Sequence, residues 1–217
     1  MKPKAILVDD HKILRAGLRK LLEADDECDI VAEAGNGREA IELARQHAPD
    51  IVVMDVAMPD MNGVDATRSL IKRVPQTRVL ALSGYSDNVY VKGMLEAGAR
   101  GYLLKDAAAD ELLLAVKTVL SGRIYVSPLV TDTLVEDYLL HLKGEGTSES
   151  SALSLREREV LQLVAEGHVN AEIARQLNLS ERTVESHRKR ITDKLGIRSV
   201  AELTKYAIRT GLTTLDR

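Results

Sequence analysis

The sequence predicts an α/β domain with a five-stranded parallel sheet, followed by a small all-α domain. In the first part of the chain, short apolar runs alternate with amphipathic stretches, a pattern typical of a parallel sheet covered by helices on both faces. In the last part only helical periodicity is found, and a polar Gly/Ser/Glu stretch at residues 144–152 separates the two parts. The charge divides in the same way: residues 1–143 carry −4, residues 144–152 carry −2, and residues 153–217 carry +3.

Five βα units account for the first part. Each predicted strand is a short run rich in Val, Ile, Leu and Ala, and the five runs are Ala5–Val8, Ile30–Ala34, Ile51–Met54, Arg78–Leu82 and Gly101–Leu104. The stretches between and after them have apolar residues three and four apart and predict helices at Lys12–Glu23, Arg38–His47, Val64–Lys72, Asn88–Ala97 and Glu111–Ser121. Asn36-Gly37, Asn62-Gly63, Gly98 and Gly122 lie where turns or helix ends are needed.

The rest of the chain predicts helices only. One helix begins at Pro128 and runs to about His141, and four shorter ones are predicted at Leu155–Glu166, Ala171–Leu177, Glu181–Leu195 and Val200–Thr210. Ser154 and Ser199 each precede a glutamate with capping-box spacing, and Ser180 can cap the longest of these helices. With neither Trp nor Phe in the chain, both cores must be built from aliphatic residues.

The composition restricts where the protein is expected to act. No apolar run approaches the roughly 18 residues of a membrane span, and Met1-Lys2-Pro3 leads directly into a strand instead of a signal sequence. We therefore expect a cytoplasmic protein with no membrane partner. The single cysteine, Cys28, cannot form an internal disulfide and is interpreted as a small buried or half-buried side chain.

Acidic residues follow two of the predicted strands. Asp9 and Asp10 come directly after the first strand, and Asp55 ends the third. Because the carboxyl ends of parallel strands meet at one edge of a sheet, these carboxylates can form a cluster suited to a hard divalent cation, Mg²⁺, and a phosphoryl group. Taken singly, Asp9 and Asp10 would be helix-capping residues and Asp55 a loop residue. Taken together, they favour a site in which one aspartate acts as a nucleophile toward phosphorus.

Two further strand ends carry groups that can hold a phosphoryl group. Ser83 follows the fourth strand and offers a hydroxyl donor, and Lys105 follows the fifth and offers a cation. With these residues the pattern resembles the receiver domain of two-component response regulators over about residues 3–122. The matching motifs are Val8-Asp9-Asp10-His11, Met54-Asp55-Val56-Ala57-Met58-Pro59 with Gly63, Ala81-Leu82-Ser83-Gly84 and Gly101-Tyr102-Leu103-Leu104-Lys105.

The resemblance implies a flavodoxin-like receiver domain and a role for each matching residue. Asp55 would be the phosphoacceptor, and Mg²⁺ would be held by Asp9, Asp10, Asp55 and the backbone carbonyl of Ala57. Ser83 and Lys105 would hold the phosphoryl oxygens. Tyr102 would be the aromatic switch that turns inward when Ser83 moves toward the phosphate; from composition alone it would be a half-buried strand residue.

The last part of the chain has the form of a helix-turn-helix. Asn170–Leu177, a turn at Asn178-Leu179-Ser180 and a helix from Glu181 provide a supporting helix and a reading helix. Val184, Ile191 and Leu195 would form the packing stripe, which leaves a largely basic face directed outward. On spacing alone, that face could also be the solvated surface of a small helical bundle.

Residues 153–212 resemble the LuxR-type DNA-binding domain. The matching residues are Leu155-Arg-Glu-Arg-Glu-Val-Leu161, Ala165-Glu-Gly167, Glu172-Ile-Ala174, Leu179-Ser180, Thr183-Val184, His187 and Lys194-Leu-Gly196. The resemblance implies that Glu185, Ser186 and Lys189 face base edges in the major groove. It places Arg182, Thr183, Arg188 and Arg190 nearer the phosphates. Glu185 is unusual at such a surface, although a carboxylate can accept a hydrogen bond from cytosine N4.

Together the two resemblances indicate a response regulator of the NarL/FixJ type. They imply a receiver at residues 1–124, a linker at 125–152 with a helix near 128–141, and a DNA-binding domain at 153–217. The expected function is transcription regulation controlled by phosphorylation of Asp55, with a sensor histidine kinase and double-stranded promoter DNA as partners. Phosphorylation would release a masked reading helix, promote a homodimer, or both, and Val200–Thr210 is the candidate self-association helix.

Two other functions fit parts of the sequence. An aspartate nucleophile with Mg²⁺ also serves phosphohydrolases, but these commonly place a second acid two residues after the nucleophile, where this chain has Ala57. The sequence therefore favours a protein that is not an enzyme. The remaining alternative is a DNA binder whose receiver does not respond to phosphate. A nucleotide site is disfavoured because the turn after the first strand, Asp9-Asp10-His11, contains no glycine to admit phosphates.

Overall fold

We describe the fold from a computed structural model, which covers residues 2–25, 27–107, 109–142 and 153–214. The chain divides into two compact units, residues 1–146 and 147–217. The first is an α/β unit and the second is helical. The polar stretch at residues 144–152, which the sequence places between the two parts, lies outside the described residues.

The first unit is built on a parallel sheet with strand order β2-β1-β3-β4-β5-β6. Val8 is in register with Met54, Asp55 with Leu82, and Ser83 with Leu104, so the carboxyl ends of the central strands lie at one edge. The strands are β1 (Lys4–Val8), β2 (Asp29–Ala34), β3 (Ile51–Asp55), β4 (Arg78–Ser83), β5 (Gly101–Leu104) and β6 (Tyr125–Val126).

The sheet has six strands, so the prediction of five was one strand short. The additional strand, β6, is only two residues long and pairs with Gly101 and Tyr102 of β5. Such a short segment has no periodicity to detect, because alternation between two faces needs at least four residues to be recognised. Its position depends on the turn at Gly122, where φ is +86°.

Ten helices are present in the described part of the chain, and each agrees with a predicted one within one or two residues at either end. Their bounds are α1 (Lys12–Ala24), α2 (Gly37–His47), α3 (Gly63–Arg73), α4 (Asn88–Ala97), α5 (Ala109–Leu120), α6 (Pro128–Leu142), α7 (Leu155–Ala165), α8 (Asn170–Leu177), α9 (Glu181–Leu195) and α10 (Val200–Arg209). The predicted turns at Asn36 and Asn62 act as helix caps, because their side chains accept hydrogen bonds from the backbone N–H groups of Glu39 and Asp65.

Helices cover both faces of the sheet, as the alternation of apolar runs predicted. Residues of α2, α3 and α4 pack on one face against Ile6, Val8 and Met54. Residues of α1 and α5 pack on the other face against Ala5 and Leu7, and Cys28 is buried in that layer. Alternate residues of the central strands thus belong to different cores, and both faces are apolar. This double burial holds the strand ends at fixed positions.

The helix after β6 belongs to the first unit. α6 packs against α4, and Val130 is fully buried in the same core as Tyr90 and Tyr102. The backbone N–H of Ser127 donates a hydrogen bond to the carbonyl oxygen of Tyr102 over 2.9 Å. The segment predicted to be a linker therefore begins with two elements that are hydrogen-bonded to, or packed on, the α/β unit.

The second unit is a four-helix assembly whose aliphatic core joins α7, α8, α9 and α10. Ser154 forms the predicted capping box with Glu157, and Ser180 accepts a hydrogen bond from the backbone N–H of Thr183. Ser199 makes no side-chain capping bond to α10, so the capping box predicted at Ser199 does not form. Across the described residues, no helix combines the length and apolar character needed to cross a membrane.

Candidate functional site

The acidic residues predicted from separate strand ends lie together at the carboxyl edge of the sheet. Asp9 follows β1 and Asp55 ends β3, and both are almost fully buried at 1% and 2% exposure. Asp10 lies at the rim, with 26% of its side chain exposed. Carboxylate oxygens of these three residues and a ring nitrogen of His11 lie within 4.8 Å of one another. We call this group, with Lys105, the acidic pocket.

Lys105, which follows β5, closes the pocket. Its Nζ lies 2.8 Å from Asp9 Oδ2 and 2.8 Å from Asp55 Oδ2, so one ammonium group bridges the two buried carboxylates. Burial alone would lower the pKa of Lys105, but Asp55 and Asp9 outweigh it and hold that pKa above its usual range. Lys105 is therefore charged in this pocket at neutral pH.

The buried Asp55 carboxyl has an increased affinity for a proton. The pKa of Asp55 is raised to about 6, mainly by burial; the charge of Lys105 opposes the rise, Asp9 adds to it, and the backbone N–H of Ala57 opposes it. The Ala57 N–H lies 3.2 Å from Asp55 Oδ1. Asp55 is thus ionised at neutral pH but held in a dry environment, which suits a carboxylate nucleophile.

Gly63, the first residue of α3, lies very close to the backbone of Asp55. A Cβ atom at Gly63 would lie 2.1 Å from the Asp55 carbonyl oxygen, so any larger residue there would displace the backbone of the site. The Gly63 N–H also donates to the Val56 carbonyl over 2.8 Å. This contact fixes the backbone on either side of Ala57, the residue predicted to supply a carbonyl ligand.

The donor set of the pocket fits a magnesium ion. Mg²⁺ prefers oxygen ligands, needs only one or two carboxylates and keeps several waters. Asp9, Asp10 and Asp55 offer such oxygens on one side of the pocket, and Asp10 lies at the exposed rim, where water can complete the coordination.

Ser83 ends β4, and Tyr102 lies within the neighbouring strand β5. Ser83 is fully buried, and its Oγ accepts a hydrogen bond from the Tyr85 N–H over 3.0 Å. Tyr102 is also fully buried, so the interpretation of it as a half-buried strand residue was wrong. Its hydroxyl donates to the Tyr85 carbonyl over 2.7 Å, and burial raises the pKa of that phenol well above its usual range. Tyr102 therefore points inward, beside the β4–α4 loop.

In the second unit, α8, a short turn and α9 form a helix-turn-helix. Asn178 takes the left-handed conformation at the end of α8, with φ of +52°, which suits asparagine better than most other residues. Val184 and Ile191 are buried and Leu195 packs against the core, so the predicted packing stripe of α9 is confirmed.

The outward face of α9 carries most of the side chains predicted to contact DNA. Five of the seven are exposed: Arg182, Glu185, Ser186, Lys189 and Arg190. Thr183 and Arg188 are half-buried, because Thr183 Oγ1 lies 2.8 Å from the cap Ser180 and Arg188 donates to Asn170 Oδ1 over 2.8 Å. Thr183 thus belongs to the N-terminal cap of α9 and Arg188 connects α9 to α8, whereas the other five side chains present an exposed polar face.

One residue beside the acidic pocket was not predicted. Arg15 on α1 donates from Nη1 to the backbone carbonyl of Asp9 and from Nε to Glu33 Oε2, the latter over 2.8 Å. No motif indicated it, because an arginine in the first half of an amphipathic helix is ordinarily a surface charge. Helical periodicity gives the face of α1 on which Arg15 lies, but it does not show that this side chain meets Asp9 and Glu33.

Comparison with known proteins agrees with both halves of this description. The family "Response regulator receiver domain" matches residues 5–117, and the family "Bacterial regulatory proteins, luxR family" matches residues 151–207. Together the two matches span both compact units.

Known proteins match nearly the whole length of this chain. The transcriptional regulatory protein DegU of Brevibacillus brevis is 38% identical over 224 residues, covering 97% of this chain and 94% of DegU. The crystal structure of the response regulator ChrA, from a heme-sensing two-component system, has 34% identity and a TM-score of 0.53, covering 97% of this chain and 98% of ChrA. RcsB from Salmonella enterica serovar Typhimurium, bound to promoter rprA in the presence of phosphomimetic BeF₃⁻, has 26% identity and a TM-score of 0.58, covering 94% and 98%.

Proposed function

Because this chain belongs to the response regulators with a LuxR-type DNA-binding domain, we propose that phosphorylation of Asp55 controls its binding to promoter DNA. The observation that carries the proposal is the geometry of the acidic pocket, in which two buried carboxylates share one ammonium group. We assign the receiver to residues 1–124, the linker to 125–152 and DNA binding to 153–217. The proposed site of action is the cytoplasm, where a sensor histidine kinase and promoter DNA are both accessible.

The pocket contains the groups that a phosphoryl transfer requires. An Asp55 carboxylate oxygen attacks the phosphorus of a phosphohistidine in the kinase, the phosphorus–nitrogen bond breaks, and the imidazole nitrogen keeps the electron pair and takes a proton. The ammonium group of Lys105, already 2.8 Å from Asp55, then binds the incoming phosphoryl oxygens. Ser83 exchanges its hydrogen bond from the Tyr85 N–H for one that its hydroxyl donates to the phosphoryl group.

Mg²⁺ held by Asp9, Asp10, Asp55 and the Ala57 carbonyl would neutralise the charge that builds up between the carboxylate and the phosphoryl oxygens. Asp9 and Asp10 supply the charge that attracts the ion, while the Ala57 N–H keeps Asp55 oriented. The residue two positions after the nucleophile is Ala57, which has no acid–base group to activate water. We therefore propose a phosphoacceptor that holds its phosphoryl group and does not act as a phosphohydrolase.

Ser83 and Tyr102 connect phosphorylation of Asp55 to a change in the β4–α4 loop. The Tyr102 hydroxyl holds the Tyr85 carbonyl, and the Tyr85 N–H holds Ser83, so movement of Ser83 toward a phosphoryl group alters the β4–α4 loop. The altered surface favours a homodimer, which presents two DNA-binding units to paired half-sites. On DNA, the exposed face of α9 enters the major groove. Glu185, Ser186 and Lys189 are assigned to base edges, and Arg182, Thr183, Arg188 and Arg190 to the backbone.

Labelling with a small acyl phosphate and Mg²⁺ tests the proposal. We expect one phosphoryl group per chain in the parent and none in Asp55→Asn, measured by intact-protein mass spectrometry. Asp110→Asn, a change to an exposed acid on α5, is the matched control and should label fully. Full labelling of Asp55→Asn would defeat the assignment, and repeated turnover of phosphate esters would identify a hydrolase instead.

A further inference from the structure

Arg15 connects the turn after β1 to the neighbouring strand β2. Its guanidinium donates from Nη1 to the Asp9 carbonyl and from Nε to Glu33 Oε2, and only 14% of the side chain is exposed. Asp9 is also fixed to β2 through its own backbone, since its N–H donates to the Ala34 carbonyl over 3.2 Å. The turn that carries two of the pocket acids is therefore held to β2 by one backbone bond and one side-chain bridge.

The bridge is itself held in place by a second arginine. Arg19, one helical turn further along α1, donates from Nη1 to Glu33 Oε1 over 2.5 Å and from Nη2 to the Ile30 carbonyl over 3.2 Å. Hydrogen bonds from Arg15 first, and then Arg19, lower the pKa of Glu33 below its usual range. Glu33 is thus ionised and directed toward Arg15. Arg19 shares Glu33 with Arg15 but makes no described contact with Asp9.

We propose that Arg15 is a positioning residue that sets the affinity of the acidic pocket for Mg²⁺ by holding the Asp9–Asp10 turn against β2. The inference rests on the proposed function, because it assumes that the pocket binds the ion. It goes beyond that function in assigning a role to a side chain that has no direct contact with the pocket carboxylates among the described hydrogen bonds.

The physical reason is electrostatic. Oxygens of the Asp9, Asp10 and Asp55 carboxylates lie within 4.8 Å of one another, and the ammonium group of Lys105 bridges two of the three, so like charges repel each other in the pocket. Without a restraint on the turn, Asp9 and Asp10 can relax away from Asp55, and metal binding must then restore the crowded arrangement. Groups that orient metal ligands typically change metal affinity by about 10- to 100-fold when removed.

The guanidinium is suited to this role by its shape. It presents several donors in a fixed plane, so one side chain can hold the Asp9 carbonyl and Glu33 at the same time. A lysine at this position has a single nitrogen and cannot span both acceptors in the same fixed geometry. Arg15→Lys therefore keeps the positive charge near Asp9 but weakens the bridge, which separates the effect of position from that of charge.

Calorimetric titration with Mg²⁺ of the full-length chain tests the proposal directly. We expect Arg15→Met to bind the ion about 10-fold or more weakly than the parent, with Arg15→Lys between the two. Arg19→Met, the matched control, loses a contact with Glu33 but keeps the Arg15–Asp9 contact, and should weaken Mg²⁺ binding much less than Arg15→Met. In acyl phosphate labelling, the rate of Arg15→Met should recover at saturating Mg²⁺, because the nucleophile and Lys105 are unchanged.

Parent-like Mg²⁺ binding by Arg15→Met would overturn the inference. Equal weakening in Arg15→Met and Arg19→Met would also overturn it, since the effect would then come from α1 or Glu33 in general. If Arg15→Met fails to fold, as judged by circular dichroism, the comparison is made between Arg15→Lys and Arg19→Met, and equal affinities would overturn it. Absence of Mg²⁺ binding in the parent itself would instead defeat the proposed function, and this inference with it.

Discussion

The acidic pocket and the exposed face of α9 are built in opposite ways. The pocket and the adjacent Ser83 bring together side chains from the ends of β1, β3, β4 and β5, positions separated by up to about a hundred residues, and Asp9, Asp55 and Ser83 are buried. The face of α9 takes its side chains from one helix at positions three and four apart and leaves them in solvent. The first depends on the whole sheet for its geometry, whereas the second depends only on a helix and its packing stripe.

This difference determines how each region responds to change. Charges in the pocket share partners in a poorly hydrated environment, so removing one affects the protonation and position of the others. Charges on α9 are exposed and separate, so each contributes a modest and nearly additive amount that salt can screen. Substitutions in the pocket should therefore have large, coupled and pH-dependent effects, and substitutions on α9 small, independent and salt-dependent ones.

The largest effect is expected at Lys105. Lys105→Met removes the only described cation that contacts both buried carboxylates, so the developing charge on the phosphoryl group loses its partner. We expect the rate of labelling by an acyl phosphate to fall by roughly 10²- to 10³-fold, as for the loss of one preorganised donor elsewhere. The initial rate at saturating Mg²⁺ measures it. Lys12→Met, at an exposed position of α1, is the control, and equal rates in both variants would remove Lys105 from the site.

The next effect concerns stability and its dependence on pH. In the folded chain the pKa of Asp55 is about 6, above the ordinary aspartate value of 3.8, so folding favours the protonated form of Asp55. The contribution of Asp55 to the free energy of unfolding is fully present below pH 3.8 and is lost as the pH rises through about 6. At pH 7.5 without Mg²⁺, Asp55→Asn should therefore raise the free energy of unfolding, by about 1 to 3 kcal/mol.

Urea denaturation at pH 7.5 and pH 4 measures this effect. The advantage of Asp55→Asn should shrink at the lower pH, where the parent carboxyl is protonated, and should also shrink when Mg²⁺ stabilises the parent. A variant less stable than the parent at pH 7.5 would show that the ion pair with Lys105 outweighs the burial of Asp55.

A smaller effect is expected at Lys189 on α9. Lys189→Ala should weaken binding to a cognate promoter by about 1 to 3 kcal/mol and relax the preference for one base position, if this exposed side chain reads a base edge. Asp193→Ala, which removes an exposed negative charge from the same helix, is the control and should leave the affinity equal or higher. Fluorescence anisotropy with labelled duplexes measures both, and unchanged affinity in Lys189→Ala would exclude it from the interface.

The smallest effect is expected at Arg190, which is assigned to the phosphate backbone. Arg190→Ala should weaken binding to all duplexes alike and reduce the slope of log affinity against log salt by about 1. Titrations at several salt concentrations, on a cognate and an unrelated duplex, measure the slope. A loss confined to the cognate duplex would place Arg190 at a base edge instead.

The residues of the acidic pocket could be predicted from the sequence, whereas Arg15, which holds the turn after β1, could not. Asp9, Asp55, Ser83 and Lys105 could be found because each follows a recognisable apolar run, and parallel strands bring such ends to one edge. The contacts of Arg15 could not be predicted, because they depend on how α1 crosses β2. Amphipathic periodicity shows which face of a helix is buried but not the angle at which the helix crosses a strand. The exposed face of α9 was also predictable, because helical periodicity alone separates it from Val184 and Ile191.

Other errors have similar causes. The two residues of β6 are too few to show periodicity, so the sixth strand was missed. Tyr102 was interpreted as half-buried because a single strand does not reveal what covers it, and in the fold the core that includes α4 and α6 encloses it. The half-burial of Arg188 follows from its hydrogen bond to Asn170, 18 residues earlier, which helical spacing does not reveal.

A phosphoryl group at Asp55 is proposed to change the affinity with which α9 binds promoter DNA. The most direct measurement compares promoter affinity of the parent and of Asp55→Asn, each with Mg²⁺ and with or without beryllofluoride as a phosphoryl analogue. We expect tighter binding by the parent when the analogue is present and no change in Asp55→Asn. Equal affinity of the parent with and without an analogue that is bound at Asp55 would contradict it.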